Sequence, residues 1–238
     1  MKSLLTTVAL FVALVATAQT KTYNDANAKT RTLSGSFTKI SVASGVELYL
    51  TQGSENALAI SVSDEKYEER FKTEVENGTL KIWYDNKNWS SGDRNRKLKA
   101  YVSYKTLEAL TCSSGSNTKL ENTLNAGNLA LNFSSGSVFS GEINATDVNS
   151  VASSGALVKI SGKAEKLKVD VNSGANFKGS GLATSYCTAS ANSGGSVSIE
   201  VQKELNASAN SGGDIRYTGA AVLNKGSINS GGSVKHGS

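Results

Sequence analysis

Apolar residues recur at fixed distances from a repeated Ser-Gly step in the second half of the chain. Seven such steps, each followed by a small residue, lie 18 to 21 residues apart, and their glycines are Gly115, Gly136, Gly155, Gly174, Gly194, Gly212 and Gly231. In most copies the positions three and five residues before the glycine are apolar, and so are those three and five residues after it. Offsets that differ by two match the side-chain period of a β-strand. Each copy therefore predicts two short strands that bury one face.

A period of about 20 residues is typical of a solenoid, in which each coil buries its apolar edge against its neighbours. Serine precedes every repeat glycine, and Ser, Ala or Gly follows it, as a tight corner with positive φ requires. We predict an all-β fold with a right-handed parallel β-helix, or β-solenoid, over residues 107–238. A flexible Ser/Gly-rich linker is the alternative, and the regular apolar columns argue against it.

The first half of the chain lacks the strict period and predicts an irregular β-rich cap with early coils over residues 37–106. Strands are predicted at 37–42, 46–51, 58–62, 71–76, 79–84 and 99–103. Asn77-Gly78 lies between two of them, which indicates a two-residue hairpin. Asp64 is a candidate N-cap of a short helix over the next six residues. Because Ser44-Gly45 already resembles the later corners, residues 37–238 are predicted to fold as one unit.

The N-terminus predicts export. Residues 1–18 combine Lys2, an apolar run and small residues before Gln19, the pattern of a cleaved signal peptide. Residues 19–36 are predicted to be flexible. The mature protein is expected in the periplasm, on the outer surface or secreted, without a membrane span.

The two cysteines, Cys112 and Cys187, lie four coils apart and in inward columns. At a coil spacing of about 4.8 Å they are too distant for a disulfide, which needs Cα atoms within about 7 Å. We predict buried free thiols, with an intermolecular bridge as the alternative.

Several motifs, in their order along the chain, resemble a known family. They are the segment ISVASGVELYLTQG at 40–53, the Asn-Gly hairpin ending in LKI at 80–82, LEAL at 107–110 leading into SGS at 114–116, and GDIRYTG at 213–219. Together they resemble the putative auto-transporter adhesin head domain family, also called the GIN domain, of Bacteroidetes-type envelope proteins. The resemblance implies a β-helix. It implies no functional residues, because no activity or ligand is established for that family as a class.

The titratable residues do not form a recognisable catalytic set. His236 is the only histidine and is the third residue from the C-terminus, so a Ser-His-Asp triad or a His-rich zinc site is not expected. Glu142 and Glu200 share a column but lie three coils apart, about 14 Å, beyond the separation that glycosidases use. We therefore predict no enzyme activity, no cofactor and no metal site. A polysaccharide-active β-helix enzyme remains the alternative.

The candidate ligand-binding residues are cationic, in a chain whose net charge is +5. Four residues after successive glycines come Lys119, Lys159, Lys178, Arg216 and Lys235, with Ser140 and Ser198 between them. Such a column could bind an anionic polymer, or it could simply keep an outward strand face soluble. A second candidate is the loop that contains Trp89, Arg94 and Arg96. Its tryptophan could contact a sugar or partner, or pack against the cap.

These patterns predict a secreted, non-catalytic, adhesin-like module that binds envelope or extracellular glycans or partner proteins. The expected partners are an anionic glycan, lipopolysaccharide or another envelope protein. Nucleic acid is not expected, because no aromatic residues interleave with the cations. A structural scaffold that pairs through its terminal coil is a further alternative, and the oligomeric state stays open.

Overall fold

A computed structural model describes residues 23–87 and 96–237 of the 238-residue chain. The predicted signal peptide lies outside the described residues. The described part contains one continuous sheet and no α-helix. Its strands are β1 Lys29–Arg31, β2 Lys39–Val42, β3 Glu47–Gln52, β4 Ala57–Val62, β5 Phe71–Glu76, β6 Thr79–Tyr84, β7 Leu98–Tyr104, β8 Ala109–Cys112, β9 Asn117–Leu120, β10 Leu124–Phe133, β11 Val138–Ala152, β12 Leu157–Val171, β13 Asn176–Asn192, β14 Ser196–Asn210, β15 Asp214–Thr218, β16 Val222–Asn229 and β17 Ser233–His236.

From β8 onward, equivalent strands of successive coils pair in parallel. Leu129 in β10 pairs with Val148 in β11, which pairs with Leu167 in β12. The fold is a β-solenoid of about seven turns with a spacing of about 19 residues, as the sequence predicts. The inward leucine, valine, phenylalanine and alanine columns form one buried core along the stack.

Each of the seven repeat Ser-Gly steps forms the same tight corner. Ser154 and Gly155 both have positive φ, at 50° and 74°, and the Ala156 N–H donates to the Ser153 carbonyl over 3.1 Å. This is a type I′ turn, for which glycine is suited. The Gly155 N–H then donates to the Ser173 carbonyl of the next coil over 3.1 Å. The corners therefore continue the hydrogen-bond ladder between coils, and successive coils stay in register through each turn.

The cap at the N-terminal end is built around an early coil that is out of sequence order. β2 lies between β6 and β8, and β3 lies between β7 and β9, all in parallel. Asn77-Gly78 forms the predicted hairpin, with φ of 50° and 71°, and places β5 antiparallel to β6. On the other side, β4 pairs antiparallel with β7 and with β1. These antiparallel strands end the parallel stack.

The predicted short helix after Asp64 is not confirmed. Asp64 does accept a hydrogen bond from the Lys66 N–H over 3.1 Å, but only a 3-10 turn, Glu65–Tyr67, follows it. Tyr67 is buried and packs edge-on against Tyr84, with ring centroids 6.2 Å apart. The chain must then enter β5 at Phe71, which leaves no length for a longer helix.

The segment predicted to be flexible, residues 19–36, contributes structure in its described part. β1 pairs with β4, with Thr30 opposite Ala59. The Arg31 guanidinium donates to the Phe71 carbonyl of the cap. These contacts tie the segment to the solenoid.

The two glycines that interrupt the column five residues after the corner accommodate bulky neighbours. A Cβ on Gly179 would lie 2.5 Å from the Phe177 ring, and one on Gly141 would lie 2.5 Å from Leu120. Phe177 and Leu120 point inward, and Phe177 is fully buried. Each glycine therefore leaves the volume that a large side chain fills, since protein interiors are close-packed.

Cys112 and Cys187 are buried free thiols, as predicted. The Cys112 Sγ lies 3.2 Å from the Thr118 hydroxyl inside the core. Burial raises the pKa of each thiol to about 12, so both stay protonated at neutral pH. Since the thiolate is the reactive form, both residues fill core volume in their unreactive, protonated form.

The C-terminal coil is open. Among the described residues no strand covers the outer edges of β16 and β17. Leu223, Ile228 and Val234 are only partly buried, whereas their register partners one coil earlier are buried, and the outward Val222 is 67% exposed. The solenoid thus ends differently at its two ends, with antiparallel strands at one and a bare coil at the other.

Candidate functional site

The predicted cations form one outward column on the strand that follows the Ser-Gly corner. Register pairs Lys119 with Ser140, Ser140 with Lys159 and Lys159 with Lys178. It continues from Lys178 through Ser198 to Arg216 and Lys235. We call this set the cationic column: Lys119, Ser140, Lys159, Lys178, Ser198, Arg216 and Lys235. All five cations are exposed, and neighbouring positions are about 4.8 Å apart, the spacing of paired strands.

Two of the five cations are paired with carboxylates on the same face. Lys119 Nζ lies 2.9 Å from Glu121, and Arg216 Nε lies 3.2 Å from Asp214. Both pairs are solvent-exposed and contribute little stability, but each offsets one positive charge. Lys159, Lys178 and Lys235 have no carboxylate within 4.0 Å in the part of the chain that the structure describes.

Lys159 and Lys178 stand out because they are direct neighbours in register and neither forms an ion pair with a described residue. They face each other across the β12–β13 pair. Lys163 adds a third exposed cation further along β12. The side chains two residues before and after the two lysines are uncharged: Leu157, Ser161, Asn176 and Ser180. Lys159 and Lys178 are therefore two adjacent cations midway along the column, with the carboxylate of Glu142 placed diagonally from Lys159 on the neighbouring strand.

The column continues into the cap as a stack of tyrosines, which the sequence analysis missed. Lys119 pairs with Tyr49, and Tyr49 pairs with Tyr101. The rings of Tyr49 and Tyr101 stack with centroids 5.2 Å apart, and Tyr23 stacks on Tyr101 at 4.8 Å. Tyr49 could have been found by counting four residues from Gly45. Tyr101 could not, because it lies nine residues after the preceding Ser-Gly step, Ser91-Gly92, and not four.

The tyrosine stack serves mainly to anchor the N-terminal segment. The Tyr101 hydroxyl donates to Asp25 over 2.8 Å, and this hydrogen bond lowers the pKa of that carboxyl. Burial and the same hydrogen bond raise the pKa of Tyr101. The stacked faces contact each other, so the cations rather than the rings are the accessible chemistry of the column.

The other predicted site, the loop after β6, is only partly described. Trp89 and Arg94 lie outside the described residues. Arg96 lies against the cap, with its guanidinium 4.5 Å from the centroid of the Tyr84 ring and one nitrogen 3.4 Å from the Asn86 side-chain oxygen. The structure therefore brings Arg96 to the cap surface and does not bring it to the cationic column.

The described residues contain no group of three His, Cys, Asp or Glu side chains that could hold a metal ion. His236 lies on β17, where its ring packs edge-on against Tyr217 with centroids 4.9 Å apart and Nε2 is 3.1 Å from the Gly219 carbonyl. Glu142 and Glu200 lie in coils separated by two others, as expected, but a register shift in β13 places Glu200 opposite Ala183 and not in the column of Glu142. No helix in the described ranges is long and apolar enough to cross a membrane.

The fold and its outward charged face define a β-solenoid domain of the kind that presents repeated side chains along one axis. The chain belongs to the family described as "Putative auto-transporter adhesin, head GIN domain", whose sequence pattern matches residues 36–221. This confirms the resemblance drawn from the motifs. No curated protein matches the chain.

Solved structures share the fold at low sequence identity. A putative adhesin from Bacteroides fragilis is 18% identical, with a TM-score of 0.77 over 88% of this chain and 95% of that one. A putative adhesin from Parabacteroides merdae is 15% identical, with a TM-score of 0.66 over 90% and 98%. A putative lipid binding protein from Parabacteroides distasonis is 18% identical, with a TM-score of 0.62 over 89% and 97%. At these identities the likeness extends to the fold.

Proposed function

We propose that this protein is an exported, non-catalytic, adhesin-like binding module that holds an anionic glycan along its cationic column. The observation that carries the proposal is the pair Lys159 and Lys178, adjacent in register, exposed and uncompensated. Membership of an adhesin-head family supports a binding role at the cell envelope. The open, column-like arrangement of the face suits a linear ligand better than a small molecule.

The physical basis of binding is charge repetition on a rigid scaffold. Two lysines about 4.8 Å apart repel each other, and an anionic group placed between them relieves that repulsion. The backbone ladder fixes their spacing, so ordering costs are limited to the side chains. A glycan with regularly spaced carboxylates or phosphates could contact Lys119, Arg216 and Lys235 further along the same column.

Lipopolysaccharide is a useful probe because it combines anionic groups with apolar chains. Val138 and Leu157 are each 36% exposed and lie next to each other in register beside the column. One relative of the same fold is named a putative lipid binding protein. Stronger binding of intact lipopolysaccharide than of its delipidated polysaccharide would assign a role to this apolar pair.

The test compares two double variants that each remove two positive charges from the column. Lys159→Gln/Lys178→Gln is expected to weaken binding of polygalacturonate or lipopolysaccharide by about tenfold or more, because each uncompensated lysine near an anionic surface contributes about 1 kcal/mol. The matched control, Lys119→Gln/Arg216→Gln, removes cations already paired with carboxylates and should weaken binding by only about twofold to threefold. Isothermal titration at low and high salt measures both effects.

Equal losses in the two double variants would contradict a site centred on Lys159 and Lys178, and unchanged binding in both would remove the column altogether. The same incubations check the enzyme alternative. New reducing ends or unsaturated sugars released from polygalacturonate would overturn the non-catalytic proposal.

One observation favours the scaffold alternative, namely the open C-terminal coil. An uncovered strand edge with partly exposed Leu223, Ile228 and Val234 can pair with another chain. If the protein assembles in this way, light scattering will report a mass that rises with concentration, and Val234→Lys on the terminal strand will abolish the rise. A constant monomer mass would favour the binding module alone.

A further inference from the structure

A groove of about 810 Å³ runs across the coils away from the cationic column, along the first half of the strand segments that lead into each Ser-Gly corner. Its base is the buried inward column of Leu129, Val148, Leu167 and Cys187. Its sides are two outward rows, one on either side of that column. The segment 106–108, between β7 and β8, borders one end.

Each row is held in register by the parallel ladder. The first row consists of Asn128, Asp147, Lys166, Tyr186 and Glu204. The second row consists of Ala130, Asn149, Lys168, Thr188 and Asn206. Five successive coils thus each contribute one side chain to either side of the groove, at intervals of about 4.8 Å.

The chemistry of the groove differs from that of the cationic column. The first row carries the carboxylates of Asp147 and Glu204 and the ammonium group of Lys166, and the second row carries the ammonium group of Lys168. Amide and hydroxyl side chains fill most remaining positions, so donors and acceptors are interspersed, and the four charges of the two rows together sum to zero. Such a lining is poorly suited to a polyanion, and it suits a ligand that offers many hydroxyl groups of both hydrogen-bonding senses.

Tyr186 adds an aromatic ring in the first row. The residue is 39% exposed, and its neighbours in the row are the charged Lys166 and Glu204. Lys203 Nζ lies 5.1 Å from the ring centroid, which holds the ring by a cation–π contact. A ring fixed at a groove wall is an apolar platform with a polar edge, the arrangement on which the C–H face of a pyranose packs.

We propose that this groove is a second binding site, specific for a linear, uncharged polysaccharide that lies along the solenoid axis. The coil spacing is close to the length of one pyranose unit, so successive sugars meet equivalent side chains. Tyr186 packs against one sugar ring, and Asp147, Asn149 and Asn206 bind hydroxyl groups of its neighbours. The proposal does not depend on the function assigned to the cationic column, since the two sites share no residue.

The experiment titrates the mature protein with linear hexasaccharides of β-1,4-linked glucose, xylose, mannose and N-acetylglucosamine. At least one is expected to bind, with an affinity that changes little between low and high salt because no net charge is neutralised. Tyr186→Ala and Asn149→Ala should each weaken binding by about tenfold. Both side chains are exposed, and circular dichroism checks that the variants keep the fold.

Two controls separate this site from the column. Lys159→Gln/Lys178→Gln should bind the uncharged hexasaccharide like the unmodified protein, and Tyr186→Ala should bind polygalacturonate like the unmodified protein. The proposal is overturned if none of the four hexasaccharides binds, or if binding survives both groove substitutions. Strong weakening of hexasaccharide binding by salt would equally assign it to the cationic column instead.

Discussion

Replacing Gly213 with alanine is expected to destabilise the protein by about 3 kcal/mol, because the added methyl group meets backbone that cannot move aside. A Cβ at this corner position would lie 2.0 Å from the Ala191 carbonyl oxygen and 2.5 Å from its carbon. Ala191 belongs to the previous coil and is fully buried in the ladder. The melting temperature should fall by roughly 6–12 °C.

Two substitutions serve as controls for Gly213→Ala. Ala175→Gly changes the equivalent position of an earlier coil in the opposite sense, and should cost only about 1 kcal/mol. Gly212→Ala adds a methyl group that nothing approaches within 4 Å, but φ of 75° there costs about 1–2 kcal/mol. If Gly213→Ala proves no worse than Gly212→Ala, coils at the C-terminal end pack less closely than the structure indicates.

The consequence of Gly213→Ala should be local as well as global. Each coil of a solenoid is stabilised mainly by its neighbours. If the Gly213 corner moves away from the preceding coil, the coils that follow it lose part of their packing. Hydrogen exchange should therefore accelerate most in β15, β16 and β17. Arg216 lies on β15 and Lys235 on β17, so the same substitution is expected to disorder one end of the cationic column.

The second large effect concerns Phe177 and Gly179, which share one volume in the core. Gly179→Ala alone should cost about 2–3 kcal/mol, because its Cβ would lie 2.5 Å from a fully buried ring. Phe177→Val alone should cost a similar amount by leaving a cavity. The double variant places the new methyl group in the vacated space, and should be about 2 kcal/mol more stable than the sum of the single losses.

Denaturant unfolding of the four proteins measures this coupling. Ile60→Val combined with Gly179→Ala provides the control cycle, since Ile60 lies in β4 of the cap and shares no partner with Gly179. That pair should be additive within about 0.5 kcal/mol. Additivity of Phe177→Val and Gly179→Ala would contradict the shared volume and leave the interrupted apolar column without a packing explanation.

The sequence-based predictions were correct where a signal depended only on adjacent residues. The type I′ corners and the Asn77-Gly78 hairpin require positive φ at adjacent residues, a demand that few residue types meet. The helix predicted after Asp64 does not form. Its N-cap residue is not followed by an amphipathic pattern of helical length, and the burial of Tyr67 determines the local geometry.

The candidate site was likewise predicted in part from the sequence. The cationic column could be counted from the repeat because each member sits at one offset from a glycine that starts a new layer. The repeat could not predict which of these cations form ion pairs with carboxylates. Glu121 and Asp214 pair with their cations through side-chain conformations, while Lys159 and Lys178 are left without such partners among the described residues. The groove could not be predicted from the repeat either, because it forms only where the two outward rows flank the buried column of Leu129, Val148, Leu167 and Cys187.

The sequence by itself determined the all-β solenoid, its period, its corners, its buried thiols and the vertical alignment of the cations, because a strict repeat converts chain distance into layer height. Only the tertiary structure decided that the β2–β3 coil enters between later strands, that tyrosines extend the column and that Gly179 makes room for Phe177. Those outcomes depend on contacts between residues with no fixed sequence offset, so packing and not periodicity selects them.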